Sequence, residues 1–179
     1  INPDLAGRAS RRRDVGGSPL PSPRVSGHAA SRRWNTDGGI HEITLPTGIG
    51  GRLWLCGKHL IGPDVDGVVT RVGADVVVCL TERHELEDRY AAYVEWLVEH
   101  GAERAVWFPL HDMHAPDVDA GAALADDLAA RLTSGQTVIV HCGAGIGRAG
   151  TTAAAVLIHL GVPLRDALSS VRRDRPAAG

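Results

Sequence analysis

A cysteine and an arginine six positions apart, with glycines between them, can build an anion site. In this chain an apolar run, Val138-Ile139-Val140, passes through His141 and Cys142 into Gly143-Ala144-Gly145-Ile146-Gly147-Arg148. Glycines let several backbone N–H groups turn inward and form an anion-binding concavity. A helix that starts where the glycines end adds unpaired donors and a partial positive charge. A thiol at the bottom of such a bowl is surrounded by donors and ionises more readily than a free one, so Cys142 is expected to be a thiolate at neutral pH. Arg148 returns over the bowl, and its planar fork can hold two oxygens of a phosphate at once. A sulfur nucleophile beneath phosphorus, with a guanidinium on the equatorial oxygens, makes a phosphoryl-transfer site that needs no metal.

Other readings of the stretch are weaker. Gly145-x-Gly147-x-x-Gly150 also fits a dinucleotide fingerprint, which needs a further strand ending in an acid about twenty residues on. Only 29 residues follow Gly150, and they read as helix, Pro163 and helix. A buried structural cysteine is the usual fate of a lone thiol, but it would not need Arg148 at this offset. Phosphoryl transfer also needs an acid to protonate the leaving oxygen, typically a 10²–10⁴-fold effect. The loop from Phe108 to Asp117, just after a short strand, offers Asp112 and Asp117. Asp117 reads better as a helix N-cap.

His141-Cys142-x5-Arg148 resembles the signature of the protein tyrosine phosphatase superfamily. The fuller form matches at His141, Cys142, Ala144, Gly145, Gly147, Arg148, Gly150 and Thr151. The stretch Val171-Arg172-x-x-Arg175-Pro176 is also similar to that superfamily's layout. The resemblance covers residues 40 to 179, a length similar to dual-specificity-type domains. It implies a two-step reaction through a cysteinyl-phosphate, with residues 143 to 148 as the phosphate-binding loop and no cofactor. It also implies a general acid in a Pro-x-x-Asp-x-x-x-Pro loop some thirty residues before the cysteine. Asp112 fits, with Pro109 before it and Pro116 after it. By the same resemblance His141 hydrogen-bonds nearby backbone and supports the thiolate, with Thr151 a further supporting residue.

One position departs from the pattern. The residue after the arginine is usually Ser or Thr in that superfamily, where its hydroxyl donates to the cysteine sulfur; here it is Ala149. A hydrogen bond to a charged group contributes about 1.5–3 kcal/mol, so hydrolysis of the intermediate is expected to be slowed roughly ten- to hundred-fold. Thr151 and Thr152 are the available substitutes. A phospho-binding module without turnover therefore stands as an alternative, as does another Cys-x5-Arg enzyme such as an arsenate reductase or sulfurtransferase. Cys56 and Cys79 read as core filling, with a resolving-cysteine role as the minority reading. Thr81 to His84 follow a strand end and read as a plain loop, with substrate contact as the other option. His111 and His114 beside Asp112 read as polar loop residues rather than metal ligands. Residues 143 to 147 carry no Lys, Arg or His, which favours a substrate with one nearby charge, a phosphorylated protein or peptide, over an inositol polyphosphate.

The elements that must position these residues alternate. Strands are expected at Ile40 to Leu45, Arg52 to Cys56, Asp75 to Leu80, Ala105 to Phe108 and Thr137 to Val140. Helices are expected from Pro63 to Val72, Glu85 to His100, Asp117 to Leu132, Gly147 to Leu160 and Pro163 to Arg173. Val76-Val77-Val78-Cys79-Leu80 is apolar on consecutive positions, as in strands buried on both faces. This pattern predicts an α/β fold, a mostly parallel central sheet with helices on both faces. Residues 1 to 35 carry seven Arg and two Asp, a net +5, against −7 for the remainder. With Pro3, Pro19, Pro21 and Pro23 and no apolar periodicity, residues 1–36 read as a disordered basic tail, and 37–179 as the domain. The net charge of −2 argues against nucleic-acid binding by the folded part. No apolar run approaches the ~18 residues of a membrane span. Three cysteines make no disulfide framework, so a cytoplasmic location is expected. The chain stops at Gly179 where superfamily members often continue into another helix, so a C-terminal truncation is expected.

Overall fold

The structure is a computed structural model that describes residues 39–101 and 103–178. The basic tail at 1–36, with Arg11, Arg12, Arg13, Arg32 and Arg33, lies outside the described residues. Five strands form one sheet: β1 (His41–Ile43), β2 (Arg52–Gly57), β3 (Val76–Cys79), β4 (Ala105–Trp107) and β5 (Thr137–Cys142). Their order is β1-β2-β5-β3-β4. Only β1 runs antiparallel, at the edge beside β2; the β2–β5, β5–β3 and β3–β4 pairs are parallel. The helices are α1 (Lys58–Ile61), α2 (Val65–Val72), α3 (Ala91–Glu99), α4 (Val118–Thr133), α5 (Gly147–His159) and α6 (Leu164–Asp174).

The last strand in sequence is the middle strand in space. Because β5 is flanked by β2 and β3, its residues 138 to 142 are buried, which explains the uninterrupted apolar run. Side chains alternate between faces. Leu53, Leu55, Val76, Val78, Val138, Val140 and Cys142 meet the α4–α6 layer through Leu124, Leu128, Ala153, Val156, Leu157 and Val171. Cys56, Val77, Cys79 and Ile139 meet the α2–α3 layer through Val68, Val69, Tyr93, Trp96 and Leu97. Leu128 has no exposed surface; truncating such a side chain to alanine costs about 2–5 kcal/mol.

Helix ends follow the sequence signals. Asp64 caps α2 by accepting from the Gly67 N–H at 2.9 Å, and Gly73 ends it at φ 67°. Asp117 caps α4 by accepting from the N–H groups of Asp119 and Ala120. The expected helix from Glu85 begins instead at Ala91. Reciprocal bonds between Glu82 and Glu85 close a single 3₁₀ turn at Arg83–Glu85, and the chain turns again before Tyr90. Leu86, Tyr90, Tyr93 and Leu97 are all buried as expected, so the periodicity marked the core face but not the helix start. No helix among the described residues is long and apolar enough to cross a membrane.

Parallel strands put their carboxyl ends on one edge. Gly57 pairs with Cys142, and Cys79 pairs with both His141 and Trp107. The segments after β2, β3, β4 and β5 therefore meet at one crevice, where ligands bind in open α/β sheets.

Candidate active site

Strand β5 ends on Cys142, which keeps 3% of its surface exposed. The chain then turns through residues 143 to 146 into α5. Gly145 adopts φ +71°, and a Cβ there would lie 2.1 Å from the Cys56 carbonyl oxygen. Only glycine fits that close approach. The loop's carbonyls face outward onto fixed donors: the Lys58 N–H donates to Gly143 O at 3.0 Å, and Arg175 donates to Ala144 O at 2.9 Å and Gly145 O at 2.7 Å.

Arg148, in the first turn of α5, has a side chain only 4% exposed. Its fork meets the Glu85 carboxylate bidentately, Nη1 to Oε1 at 2.6 Å and Nη2 to Oε2 at 2.9 Å. Nη1 also donates to the Leu110 carbonyl at 2.7 Å. Nε is buried and has no partner among the described residues. Burial would push the Glu85 carboxyl up, but hydrogen bonds from Arg148 and the Glu82 segment, and the charges of Arg148 and Lys58, hold it at about 2. Glu85 is the site residue that sequence reasoning missed. It stands 63 residues from Arg148, so no local spacing links them, and it was expected only as the start of a helix.

Asp112 sits on the loop after β4, its side chain 71% exposed, with Oδ1 3.3 Å from Arg148 Nη2. The structure thus brings Cys142, Arg148 and Asp112 to one crevice. Met113, beside Asp112, is 93% exposed and holds φ +61°, a strained value for a non-glycine residue. Between this loop, α4 and α5 lies a cavity of about 340 Å³ lined by Phe108, Leu110, Met113, Leu124, Arg148 and Thr151, among others. Its walls do not include Cys142. Asp117, the other acid considered, is the N-cap of α4.

His141 is fully buried, and a backbone hydrogen bond at Cys142 acts on its ring. Its Nε2 pairs with the Tyr93 hydroxyl at 2.6 Å. Burial lowers its pKa to about 4, so the ring is neutral and wedges β5 against α3. Ala149 is fully buried. The Thr152 hydroxyl donates to the Arg148 carbonyl at 2.9 Å, and Thr151 is exposed on the cavity wall. Neither hydrogen-bonds Cys142 among the described residues. Cys56 and Cys79 are buried on the opposite sheet face from Cys142, and burial pushes their thiols up to about 12 and about 11. That placement opposes a resolving role. Thr81 is buried and bonded to Cys79, Glu82 pairs with His111 at 2.9 Å, and Arg83 lies over the Trp107 ring. These contacts fix Thr81, Glu82 and Arg83 against neighbouring segments.

Residues 62–177 match the family model of the Swiss Army Knife protein dual-specificity phosphatase domain. Among solved structures, Tk-PTP in its active form is similar at 32% identity, over 72% of this chain and 81% of that one, with a TM-score of 0.57. At fold level only, kinase-associated phosphatase with its catalytic-site cysteine replaced by serine matches at 19% identity over 81% and 88% of the two chains, TM-score 0.65. PTPMT1 in complex with PI(5)P matches at 20% identity over 71% and 81%, TM-score 0.57. No curated protein sequence matches the chain. A glycine-rich loop from a central strand, with cysteine at its floor and arginine at its rim, agrees with the family model that spans it, and the chain belongs to the dual-specificity type of the protein tyrosine phosphatase family.

Proposed function

We propose that this protein hydrolyses phosphotyrosine, and also phosphoserine and phosphothreonine, in protein substrates through a cysteinyl-phosphate. The reading rests on one observation: Cys142, the Arg148–Glu85 pair and Asp112 converge from three separate segments, those after β3, β4 and β5, on the carboxyl edge of the sheet. The Cys142 sulfur attacks phosphorus while the bond to the leaving oxygen breaks. Asp112 gives its proton to that oxygen, and Arg148 with the loop N–H groups holds the three equatorial oxygens. Water then attacks the phosphorus, Asp112 takes a proton from it, and the S–P bond breaks to return the thiolate and phosphate.

The mostly apolar cavity beside Arg148 favours a substrate with an apolar group next to the phosphate, as in an aryl ester. PTPMT1 was solved with a phosphoinositide, but here residues 143 to 147 bring no cation. The neighbouring Lys58 is committed to Glu85, donating to its carbonyl at 2.9 Å with its carboxylate at 3.7 Å. Cys56, Cys79 and Cys142 are all free thiols, which supports work in a reducing cytoplasm. Ala149 supports a second reading, a phospho-binding module with slow or no turnover. Hydrolysis of p-nitrophenyl phosphate, inhibited by vanadate and lost in Cys142→Ser, is the expected result. Phosphopeptide binding with no turnover in the wild type would establish the module instead.

A further inference from the structure

Arg175 follows α6 and is 4% exposed. Its guanidinium donates to three backbone carbonyls: Gly145 from Nε, Ala144 from Nη2 and Gly39 from Nη1. It pairs with no carboxylate among the described residues. A buried cation without an acid partner is costly, and burial does push this arginine below its usual pKa. A residue needed only for packing would be apolar. Two of its three partners belong to the phosphate loop.

Peptide planarity turns those contacts into a constraint on the other side of the loop. In a trans peptide unit the C=O and the following N–H point in opposite directions. Fixing the Ala144 carbonyl on Arg175 turns the Gly145 N–H away from it, and fixing the Gly145 carbonyl does the same for the Ile146 N–H. The Gly143 carbonyl is held in parallel fashion by the Lys58 backbone N–H, which turns the Ala144 N–H. Of three consecutive peptide planes in the loop, two thus depend on one side chain. Gly145 has φ +71° and no Cβ to resist rotation, so its flanking peptides are the ones that most need an external hold.

We propose that Arg175 is a positioning residue of the phosphate loop, aiming the Gly145 and Ile146 N–H groups at the oxygens of a bound phosphoryl group from the far side of the loop. The inference rests on the proposed phosphatase reading. Neither Cys142 nor Arg148 hydrogen-bonds Arg175, so its effect on an oxyanion runs through backbone direction and the charge behind the loop. A merely structural arginine would alter the unfolding midpoint and leave oxyanion affinity as it was.

The test uses the full chain as wild type, Arg175→Met and Arg175→Lys, assayed well below each unfolding midpoint. The readouts are vanadate Ki, inorganic phosphate Ki, and KM and kcat for p-nitrophenyl phosphate. Two misdirected donors to a charged ligand should raise both Ki values and KM by about ten-fold or more in Arg175→Met. Arg175→Lys, which keeps the charge but cannot fork to both carbonyls, should fall between the two. Folded Arg175→Met with Ki and KM within two-fold of wild type overturns the proposal, even if its midpoint drops. Should Arg175→Met not fold, Arg175→Lys decides: about a three-fold or larger rise in Ki supports the positioning role, and an unchanged Ki overturns it. A wild type that neither binds vanadate nor turns over substrate fails the phosphatase reading itself, an outcome recognisable without either variant.

Discussion

The two loops that meet at the crevice are built differently. The phosphate loop is braced from every side: Gly145 is pressed against Cys56, its carbonyls are held by Lys58 and Arg175, and the Arg148 side chain, 4% exposed, is gripped by Glu85. The backbone of the acid loop is tied to the sheet as far as Leu110, whose N–H donates to Leu80 O at 3.0 Å, and past it the ties are side-chain pairs, His111 with Glu82 and Asp112 with Arg148. Beyond that, Asp112 is 71% exposed and Met113 93%. The half proposed to bind an oxyanion is held in place beforehand, which on that proposal costs no reorganisation when charge develops. The half proposed to deliver a proton has few buried contacts, and so can adjust to leaving groups of different size.

The largest test of this contrast removes the grip on each side. Arg148→Lys keeps a charge but loses the fork, and should lower kcat/KM for p-nitrophenyl phosphate by about 10³-fold. It should also lower the unfolding midpoint, because Glu85 is left poorly paired in a largely buried position. Asp112→Asn should lower kcat by about 10²-fold while stability stays within about 0.5 kcal/mol, as for an exposed side chain. Its loss should be larger on phenyl phosphate than on p-nitrophenyl phosphate, whose leaving group is the better anion. An Asp112→Asn variant that melts as early as Arg148→Lys would erase the distinction between a braced half and a free one.

The braced half was the more legible one. Its nucleophile, glycines and arginine are contiguous, because a strand–loop–helix unit places them by local geometry alone. Asp112 was legible only through a resemblance, although the cap that removes Asp117 from consideration was read from position. Glu85 and Arg175 were out of reach as partners of the loop. Each acts across the fold, and a bidentate contact between residues 63 apart leaves no periodic trace. The sheet was foreseen from its apolar runs, but not the order that puts β5 in the middle. The start of α3 was misplaced because Glu85, which fits a helix in isolation, is used by Arg148 and by the Glu82 cap. For His141 the structure adds a partner, Tyr93, a contact between layers that no spacing encodes.

Acid should act on the braced half first. His141 is held at about 4 in the folded protein against about 6.5 for a free histidine. Between those values the unfolded chain binds a proton that the folded one does not, so stability falls as pH drops from about 6.5 to about 4. Near pH 4 the loss should reach roughly 3 kcal/mol. Glu85, held at about 2, extends the loss in the same direction below its ordinary carboxylate range. Chemical denaturation at pH 7, 5.5 and 4.5 measures this. His141→Gln should flatten the upper part of the profile. A profile equally steep in His141→Gln would place the titrating group elsewhere.

The smallest expected effect lies within the braced loop itself. Ala149 is fully buried one residue after Arg148. The Thr152 hydroxyl is already given to the Arg148 carbonyl and Thr151 faces the cavity, so among the described residues neither hydroxyl is bonded to the Cys142 sulfur. Breakdown of the cysteinyl-phosphate should then limit turnover, and the wild type should release a burst of p-nitrophenol before its steady state. Ala149→Ser adds one donor and little volume. It should raise the steady-state rate about ten-fold, the equivalent of one hydrogen bond to a charged sulfur, and shrink the burst. On the proposed mechanism, bracing the loop should set how well it binds phosphate, and this single position how fast it lets phosphate go. Should the wild type show no burst and Ala149→Ser no gain, formation of the intermediate would be the slow step, and the exposed acid loop rather than the braced one would govern the rate.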